Sequence, residues 1–261
     1  MLGVIAGDVI GSRFEWSPIK TIDFPLLHPL SRFTDDTVLT VATAWAILYG
    51  RPFTEAYLDV GRRYPHAGYG GNFYSWLGAE DPQPYNSWGN GSAMRVAPVG
   101  LACSDVASVL REAERSAAPT HNHPEGIKGA QAAALAVFLA RHGAPKEDIR
   151  KEIAGRFDYD LDRTIDEIRP HYFFDVSCQG TVPEAILAFL ESTDYEHAVR
   201  LAVSLGGDSD TLAAITGGIA HAYYVRIPDD IVSHVREKLP AEFLETIDRF
   251  EATFSVARRD S

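Results

Sequence analysis

Cysteine and long apolar runs are scarce in this sequence. Only Cys103 and Cys178 occur, and neither belongs to a CxxC pair. A disulfide framework is therefore not expected, and a reducing cytoplasm is the default location. No apolar run approaches the roughly 20 residues that span a bilayer. The apolar N-terminus lacks a preceding basic segment and is interrupted at Asp8, unlike a secretory signal. We expect a cytoplasmic protein without membrane association.

Basic residues are also in short supply. The 24 Lys and Arg residues are outnumbered by 36 Asp and Glu residues, which gives a formal net charge of −12. Such a chain repels nucleic-acid phosphates, so stable nucleic-acid binding is not expected. With 46% hydrophobic and 23% charged residues, the composition is that of a folded protein. The length allows one domain over residues 1–261 and is compatible with a monomer.

Helical periodicity dominates the remaining pattern. Residues 34–49 and 125–141 place apolar side chains at helical spacing, and Gly143 and Pro145 end the second of these helices. The residues at 61–91 are rich in glycine, proline and aromatics and lack clear periodicity, which is typical of a functional segment. Convincing strands are absent, so we predict an all-α domain. Further helices are predicted near 145–155, 183–191, 195–205, 210–225, 229–237 and 241–254.

Two short segments combine carboxylates with threonine at the start of an apolar helix. The first acidic segment is Thr34-Asp35-Asp36, and the second is Asp208-Ser209-Asp210-Thr211, which follows two glycines. Either segment alone could be a helix cap, since Thr and Asp are favoured there. Two adjacent acids exceed what a cap needs, however, and the recurrence of the design favours a metal site over double capping.

Both acidic segments offer only oxygen ligands. Mg²⁺, Mn²⁺ or Ca²⁺ prefer such a set, and four carboxylates could balance two divalent ions. An EF-hand is a poor alternative, because apolar residues follow Asp210. For Asp8 we favour a capping or hydrogen-bonded role within a glycine-rich helix, and Glu15 is ambiguous by itself.

Five motifs in order resemble the ADP-ribosylglycohydrolase family. The matching residues are GDVIGSRFE (7–15), FTDDT (33–37), GNGSAMRVAPVG (89–100), THNHPEGIKGA (120–130) and SLGGDSDTLAAITGGIAHAYY (204–224). The resemblance implies a single-domain all-α orthogonal helical bundle with a centre of two Mg²⁺ or Mn²⁺ ions. The implied metal ligands are Thr34, Asp35, Asp36, Asp208, Asp210 and Thr211.

The resemblance also implies where a substrate binds. Glu15 matches an acid of the family's catalytic centre, and Asp36 is a second candidate base. The implied contacts to the diphosphate and distal ribose of ADP-ribose are Gly89, Asn90, Gly91, Ser92, Ala93, Met94 and His121. Backbone N–H groups of a Gly-Asn-Gly-Ser turn suit an anion, although a plain turn with a cap is the alternative without the resemblance.

Several neighbouring residues have competing interpretations. His121 and His123 form an HxH pair, but no further zinc ligands follow, so zinc is disfavoured. Arg95 is expected to cover a carboxylate or a helix end. Only 18 residues separate Glu15 from Thr34, a short connection for the family, which leaves recognition of the leaving group open. Aromatics that could stack on adenine, or simply pack in the core, are Phe14, Tyr69, Phe73, Tyr74 and Trp88.

The function implied is metal-dependent hydrolysis of an ADP-ribosyl N- or O-glycosidic bond, with release of ADP-ribose. The partner is an ADP-ribosylated protein or small molecule, and arginine is the preferred acceptor among several linkages. A non-catalytic ADP-ribose-binding or structural protein on the same fold is the main alternative. Phosphoesterase chemistry at the same metals is a third possibility.

Overall fold

All regular secondary structure of residues 1–254, the part that the computed structural model describes, is helical. Within those residues, β pairing is limited to one isolated antiparallel bridge between Gly89 and Ser177. The prediction of an all-α fold is therefore confirmed. The helices are α1 (Leu2–Gly11), α2 (Asp35–Tyr49), α3 (Phe53–Arg63), α4 (Gly71–Gly78), α5 (Gly91–Met94), α6 (Ala97–Ala102), α7 (Val106–Ala117), α8 (Pro124–Arg141), α9 (Lys146–Phe157), α10 (Ile165–Ile168), α11 (Cys178–Glu191), α12 (Tyr195–Ser204), α13 (Ser209–Tyr224), α14 (Asp229–Arg236) and α15 (Ala241–Thr253).

Helix α13 lies at the centre of the fold. Its residues are buried from Ser209 to Ala220 on every face, which is the pattern of a helix surrounded by protein rather than one with a solvent face. It packs against α1, α8, α11 and α12. Because α13 begins with the second acidic segment, its burial fixes that segment deep in the molecule.

Helices α1 and α13 meet backbone to backbone. Glycines recur every fourth residue along α1, so they lie on one helix face. A Cβ atom added to any of them would collide with a carbonyl oxygen of α13. At Gly3 it would lie 2.5 Å from the oxygen of Gly217, and at Gly7 it would lie 2.0 Å from that of Ala213. At Gly11 it would lie 2.4 Å from the oxygen of Ser209. This contact brings Asp8 of α1 next to the start of α13.

The predicted helices correspond to α2, α8, α9 and α11 to α15, with most ends within two residues. The exception is α11, which begins at Cys178 rather than near 183 and contains Pro183. Its early start has a local cause, since the Ser177 side chain accepts from the Gly180 N–H. Helices α3, α6, α7 and α10 were not predicted, and α4 lies inside the segment 61–91 that showed no clear periodicity.

No helix within residues 1–254 has the length and apolar character needed to cross a membrane. Positions 255–261 of the predicted domain lie outside the described residues.

Candidate active site

The first acidic segment begins α2. Thr34 is the N-cap residue, and its Oγ1 accepts from the Asp36 N–H at 3.2 Å. The same hydroxyl donates to Asp8 Oδ1 at 2.7 Å. Thr34 therefore caps α2, as the alternative interpretation of this segment predicted. The Asp35 and Asp36 side chains take no part in this cap.

Asp8 anchors the N-terminus of α2 to α1. Its buried carboxylate accepts from the backbone N–H groups of Thr34 and Thr37, at 2.9 and 3.1 Å, and from both threonine hydroxyls. The expected hydrogen-bonded role of Asp8 is confirmed. These bonds hold the first acidic segment next to α1, which itself packs against α13.

The second acidic segment is set by its two preceding glycines. Gly206 and Gly207 have φ of +72° and +73°, a left-handed conformation that favours glycine. The Asp208 carboxylate accepts from Asn90 Nδ2 at 2.6 Å. Thr211 donates to Asp36 Oδ2 at 3.3 Å, which joins the two acidic segments directly.

The acidic segments converge on two overlapping groups of carboxylates. In each group one oxygen per residue lies within 4.8 Å of the others: Asp8, Asp36 and Asp210 form one, and Glu15, Asp208 and Asp210 form the other. Asp36 Oδ1 and Asp210 Oδ1 are buried without a hydrogen-bond partner among the described residues. Buried carboxylate oxygens of this kind are costly unless something positive neutralises them.

The carboxylates also disfavour one another's ionisation. Burial, followed by the negative charge of Asp210, raises the pKa values of Asp35 and Asp36 well above their usual range. Burial and Asp208 do the same for Asp210. Burial raises the pKa of Asp208 to about 6 and, together with Asp210, that of Glu15 to about 7. An all-oxygen site with this much unbalanced charge fits hard divalent cations.

One cavity of about 470 Å³ contains most of the predicted site, a volume usual for small-molecule pockets. Thr34, Ser92 and Ala93 do not line it. The predicted residues that do are Glu15, Asp35, Asp36, Gly89, Asn90, Gly91, Met94, His121, Asp208, Asp210 and Thr211.

The Gly89–Met94 turn crosses this cavity from the acidic residues towards His121. Two of its backbone N–H groups are already engaged within the protein, because the Gly89 N–H donates to Ser87 Oγ and the Asn90 N–H donates to the Val176 carbonyl. The N–H groups of Gly91 and Ser92 are the ones that could face a phosphate. The Asn90 side chain lines the cavity and donates to the Asp208 carboxylate.

The two histidines of the HxH pair have different surroundings. His121 lines the cavity, whereas His123 caps α8 through Nδ1, which accepts from the Glu125 N–H. Neither belongs to the two potential metal-binding groups found within residues 1–254. Arg95 is fully buried and donates to the Ser116 carbonyl near the end of α7, which agrees with the expectation that it covers a helix end.

Aromatic residues form the remaining cavity wall. Of the predicted stacking candidates, Tyr69 and Phe73 line the cavity and stack at 5.2 Å, whereas Phe14, Tyr74 and Trp88 do not line it. Phe14 instead packs edge-on against Phe24. Three lining aromatics were missed: Trp16, Tyr85 and Phe174. Of these three, Trp16 could have been predicted from the sequence, because it directly follows Glu15 at the end of a motif.

Comparisons with known proteins agree with this geometry. The sequence is 26% identical to ADP-ribosylhydrolase ARH3 of Mus musculus over 99% of this chain and 89% of the relative. It is 25% identical to ADP-ribosylarginine hydrolase Tri1 of Pseudomonas putida, over 86% of this chain and 69% of that protein. A solved structure described as an ADP-ribosylglycohydrolase-related protein complex superposes with a TM-score of 0.70 at 28% identity, covering 98% of this chain and 93% of the other.

The family pattern described as ADP-ribosylglycohydrolase matches residues 1–259. Homologues in this family are hydrolases that act on glycosidic bonds. With the match extending over nearly the whole sequence, this chain belongs to the ADP-ribosylglycohydrolase family of glycosidic-bond hydrolases.

Proposed function

We propose that this protein hydrolyses the N- or O-glycosidic bond between ADP-ribose and its acceptor, that it requires Mg²⁺ or Mn²⁺, and that arginine on a protein is the preferred acceptor. The observation that carries this proposal is the meeting of both acidic segments in one cavity with the Gly89–Gly91 turn and His121. One end of the cavity offers carboxylates, and the other offers neutral donors for phosphate.

The proposed metal ligands are those that the resemblance implied. Asp210 belongs to both carboxylate groups, which suits a carboxylate shared between two cations. The free oxygens Asp36 Oδ1 and Asp210 Oδ1 support this assignment. Thr34 would bind through the lone pair that its bond to the Asp36 N–H leaves unused. When bound, the cations would supply the positive charge that holds the ribose hydroxyls and acidifies water.

The chain's own residues provide the base and the negative charge. Glu15 or Asp36 takes a proton from the attacking water, whose oxygen forms a bond to the anomeric carbon. The bond from that carbon to the acceptor breaks, and the acceptor gains a proton, which gives ADP-ribose and a free side chain. The transition state resembles an oxocarbenium ion, which nearby carboxylates stabilise. Bound cations would lower the pKa of Glu15 and keep it ionised, as a base requires.

Two aromatic side chains at the cavity support arginine as the acceptor. Trp16 and Phe174 stack with ring centroids 5.7 Å apart, and Trp16 is 75% exposed. A guanidinium group is planar and cationic, so it stacks on aromatic faces more favourably than a serine side chain can. Tri1, whose name states arginine, is among the relatives.

The proposal is tested by incubating the protein with Mg²⁺ or Mn²⁺ and peptides ADP-ribosylated on arginine or serine, with products identified by mass spectrometry. Free ADP-ribose from the arginine peptide, absent after EDTA treatment and restored by added metal, is the expected result. Binding of ADP-ribose without any release would indicate a non-catalytic protein. Release of AMP or phosphate would indicate phosphoesterase chemistry, and faster release from serine would overturn the acceptor assignment.

A further inference from the structure

Arg95, Thr120 and His121 form a buried chain of hydrogen bonds at the cavity, which Arg95 and His121 line. Arg95 Nη2 donates to Thr120 Oγ1 at 2.9 Å, and Thr120 Oγ1 lies 2.7 Å from His121 Nδ1. Arg95 and Thr120 are fully buried, and His121 is 5% exposed. The Tyr85 hydroxyl is a further hydrogen-bonding neighbour of the Thr120 side chain.

The direction of the chain follows from its first member. A guanidinium group can only donate, so Thr120 Oγ1 is the acceptor of the Arg95 bond. The single hydroxyl hydrogen of Thr120 is then free for one of its other two neighbours, which are His121 Nδ1 at 2.7 Å and the Tyr85 hydroxyl. Thr120 joins Arg95 to Nδ1, so Nδ1 is the ring nitrogen on the Arg95 side, and the positive charge of Arg95 disfavours a proton there. The Thr120 hydroxyl therefore donates to Nδ1.

An acceptor at Nδ1 places the proton of neutral His121 on Nε2. This nitrogen faces the Gly89–Met94 turn, because a Cβ atom added to Gly91 would lie 3.1 Å from it and one added to Gly89 would lie 3.6 Å from it. Burial, and next the positive charge of Arg95, lower the pKa of His121 well below its usual value of 6.5. His121 is therefore a neutral donor at pH 7.

Arg95 sets the direction of the hydrogen-bond chain and also brings a positive charge to the cavity wall. Its guanidinium stacks on the Tyr57 ring at 4.2 Å, and its Nε and Nη1 atoms have no hydrogen-bond partner in the described part of the chain. No carboxylate among the described residues lies within ion-pair distance of it. A buried cation without a counter-charge is unfavourable, and Arg95 belongs to the wall of the cavity. An anion bound beside His121 would provide that counter-charge.

We propose that Arg95 and Thr120 are positioning residues that hold His121 as a neutral Nε2–H donor for a phosphate oxygen of the ADP-ribose diphosphate. This inference rests on the proposed function for the identity of the anion. The direction of the Arg95–Thr120–His121 chain is independent of it.

Thr120→Val and Thr120→Ser are a matched pair for the test. Valine has the shape of threonine without the hydroxyl, whereas serine keeps it. For each variant, nitrogen NMR of the His121 ring reports the tautomer. Binding of ADP-ribose in the presence of Mg²⁺ and the kinetics of ADP-ribose release report the function.

The wild type and Thr120→Ser should show the Nε2–H tautomer, and Thr120→Val should show a mixture. Thr120→Val should bind ADP-ribose roughly tenfold more weakly. Its KM should rise by the same factor at nearly unchanged kcat, because the diphosphate is remote from the bond that breaks. Thr120→Ser should remain close to the wild type in all three measurements.

Two results would overturn the inference: an unchanged His121 tautomer in Thr120→Val, or equal weakening by the valine and serine variants. A lower melting temperature of Thr120→Val with intact affinity would also overturn it, since that is the signature of a merely structural threonine. Failure of the wild type to bind ADP-ribose would overturn the proposed function and the phosphate acceptor. An Nε2–H tautomer in that same sample would still support the hydrogen-bond chain.

Discussion

The two acidic segments are similar in sequence but are held in place by different means. Thr34 caps α2, and Asp8 of α1 accepts hydrogen bonds from the backbone N–H groups of Thr34 and Thr37 at the start of that helix. Asp208 makes no side-chain cap on α13 and is bonded instead to Asn90, in the turn proposed to bind the diphosphate. Both segments line the cavity, but the first is held in place by α1 and the second by the Gly89–Met94 turn.

Asp210→Asn should have the largest effect, because Asp210 is shared by both carboxylate groups. Hydrolysis should fall by about 100-fold or more, as for the loss of a group that acts on transition-state charge. The metal-free variant should unfold at a higher temperature than the metal-free wild type, because repulsion among the carboxylates is reduced. Added Mg²⁺ should no longer raise its melting temperature. Wild-type activity in this variant would contradict the proposed metal site.

Asn90→Ala should show how the second segment depends on the pocket. Loss of the bond to Asp208 should weaken Mg²⁺ or Mn²⁺ binding by about 10- to 100-fold, as when a supporting residue of a metal ligand is removed. Calorimetric titration with the metal alone measures this effect. Thr181→Val is the control, since it removes the other acceptor of Asn90 Nδ2 and leaves the Asp208 bond in place. Equal losses in both variants would contradict a specific role for the Asn90–Asp208 bond.

Asp8→Asn should affect stability, in contrast to Asn90→Ala. An amide has one acceptor oxygen and would leave buried donors of Thr34 and Thr37 poorly paired, so the free energy of unfolding should fall by about 1–3 kcal/mol. Denaturant unfolding of the metal-free protein measures this change. Asp229→Asn, which alters an exposed carboxylate on α14, should change it by less than about 0.5 kcal/mol. A stability equal to that of the control would show that Asp8 does not anchor α2.

The smallest expected effect is on the pH dependence of stability, and it comes from the C-terminal end of α13 and not from that of α2. Helix α2 ends at Gly50, whereas α13 has His221 in its last turn, and burial lowers the pKa of His221 to about 3. Between pH 3 and 6.5 the unfolded state binds the extra proton, so stability is lost as the pH falls below 6.5. The loss attributable to His221 should be about 1 kcal/mol at pH 5.5. His221→Asn should remove this part of the pH dependence, and an unchanged slope would contradict it.

The sequence predicted elements with strong periodicity and missed those whose pattern is short or highly charged. Residues 34–49 and 125–141 correspond to α2 and α8 because long apolar stripes determine helices locally. Helix α7 was missed although Asp105 and Ser108 form a capping box at its start. The predicted helix at 183–191 missed the first turn of α11, which precedes Pro183.

The pieces of the site could be identified from motifs, but the contacts between them could not. The bond from Asn90 to Asp208 joins residues separated by more than a hundred positions, and only the packed fold brings them together. The same holds for the Trp16–Phe174 pair. Neither aromatic lies in a pattern whose spacing indicates a cavity, since both belong to loops.

The glycine face of α1 has a consequence for how this site tolerates change. Aspartate has a short side chain with few rotatable bonds, so the carboxyl groups of Asp8 on α1 and Asp210 on α13 can lie within 4.8 Å of each other only if the helix axes are close. Gly3, Gly7 and Gly11 set that separation for α1 and α13 through contact between main chains. The distance between Asp8 and Asp210 is thus determined by residues without side chains. A methyl group at Gly7, 2.0 Å from the Ala213 carbonyl oxygen, should force α1 and α13 apart and disturb the site while every one of its carboxylates is still present.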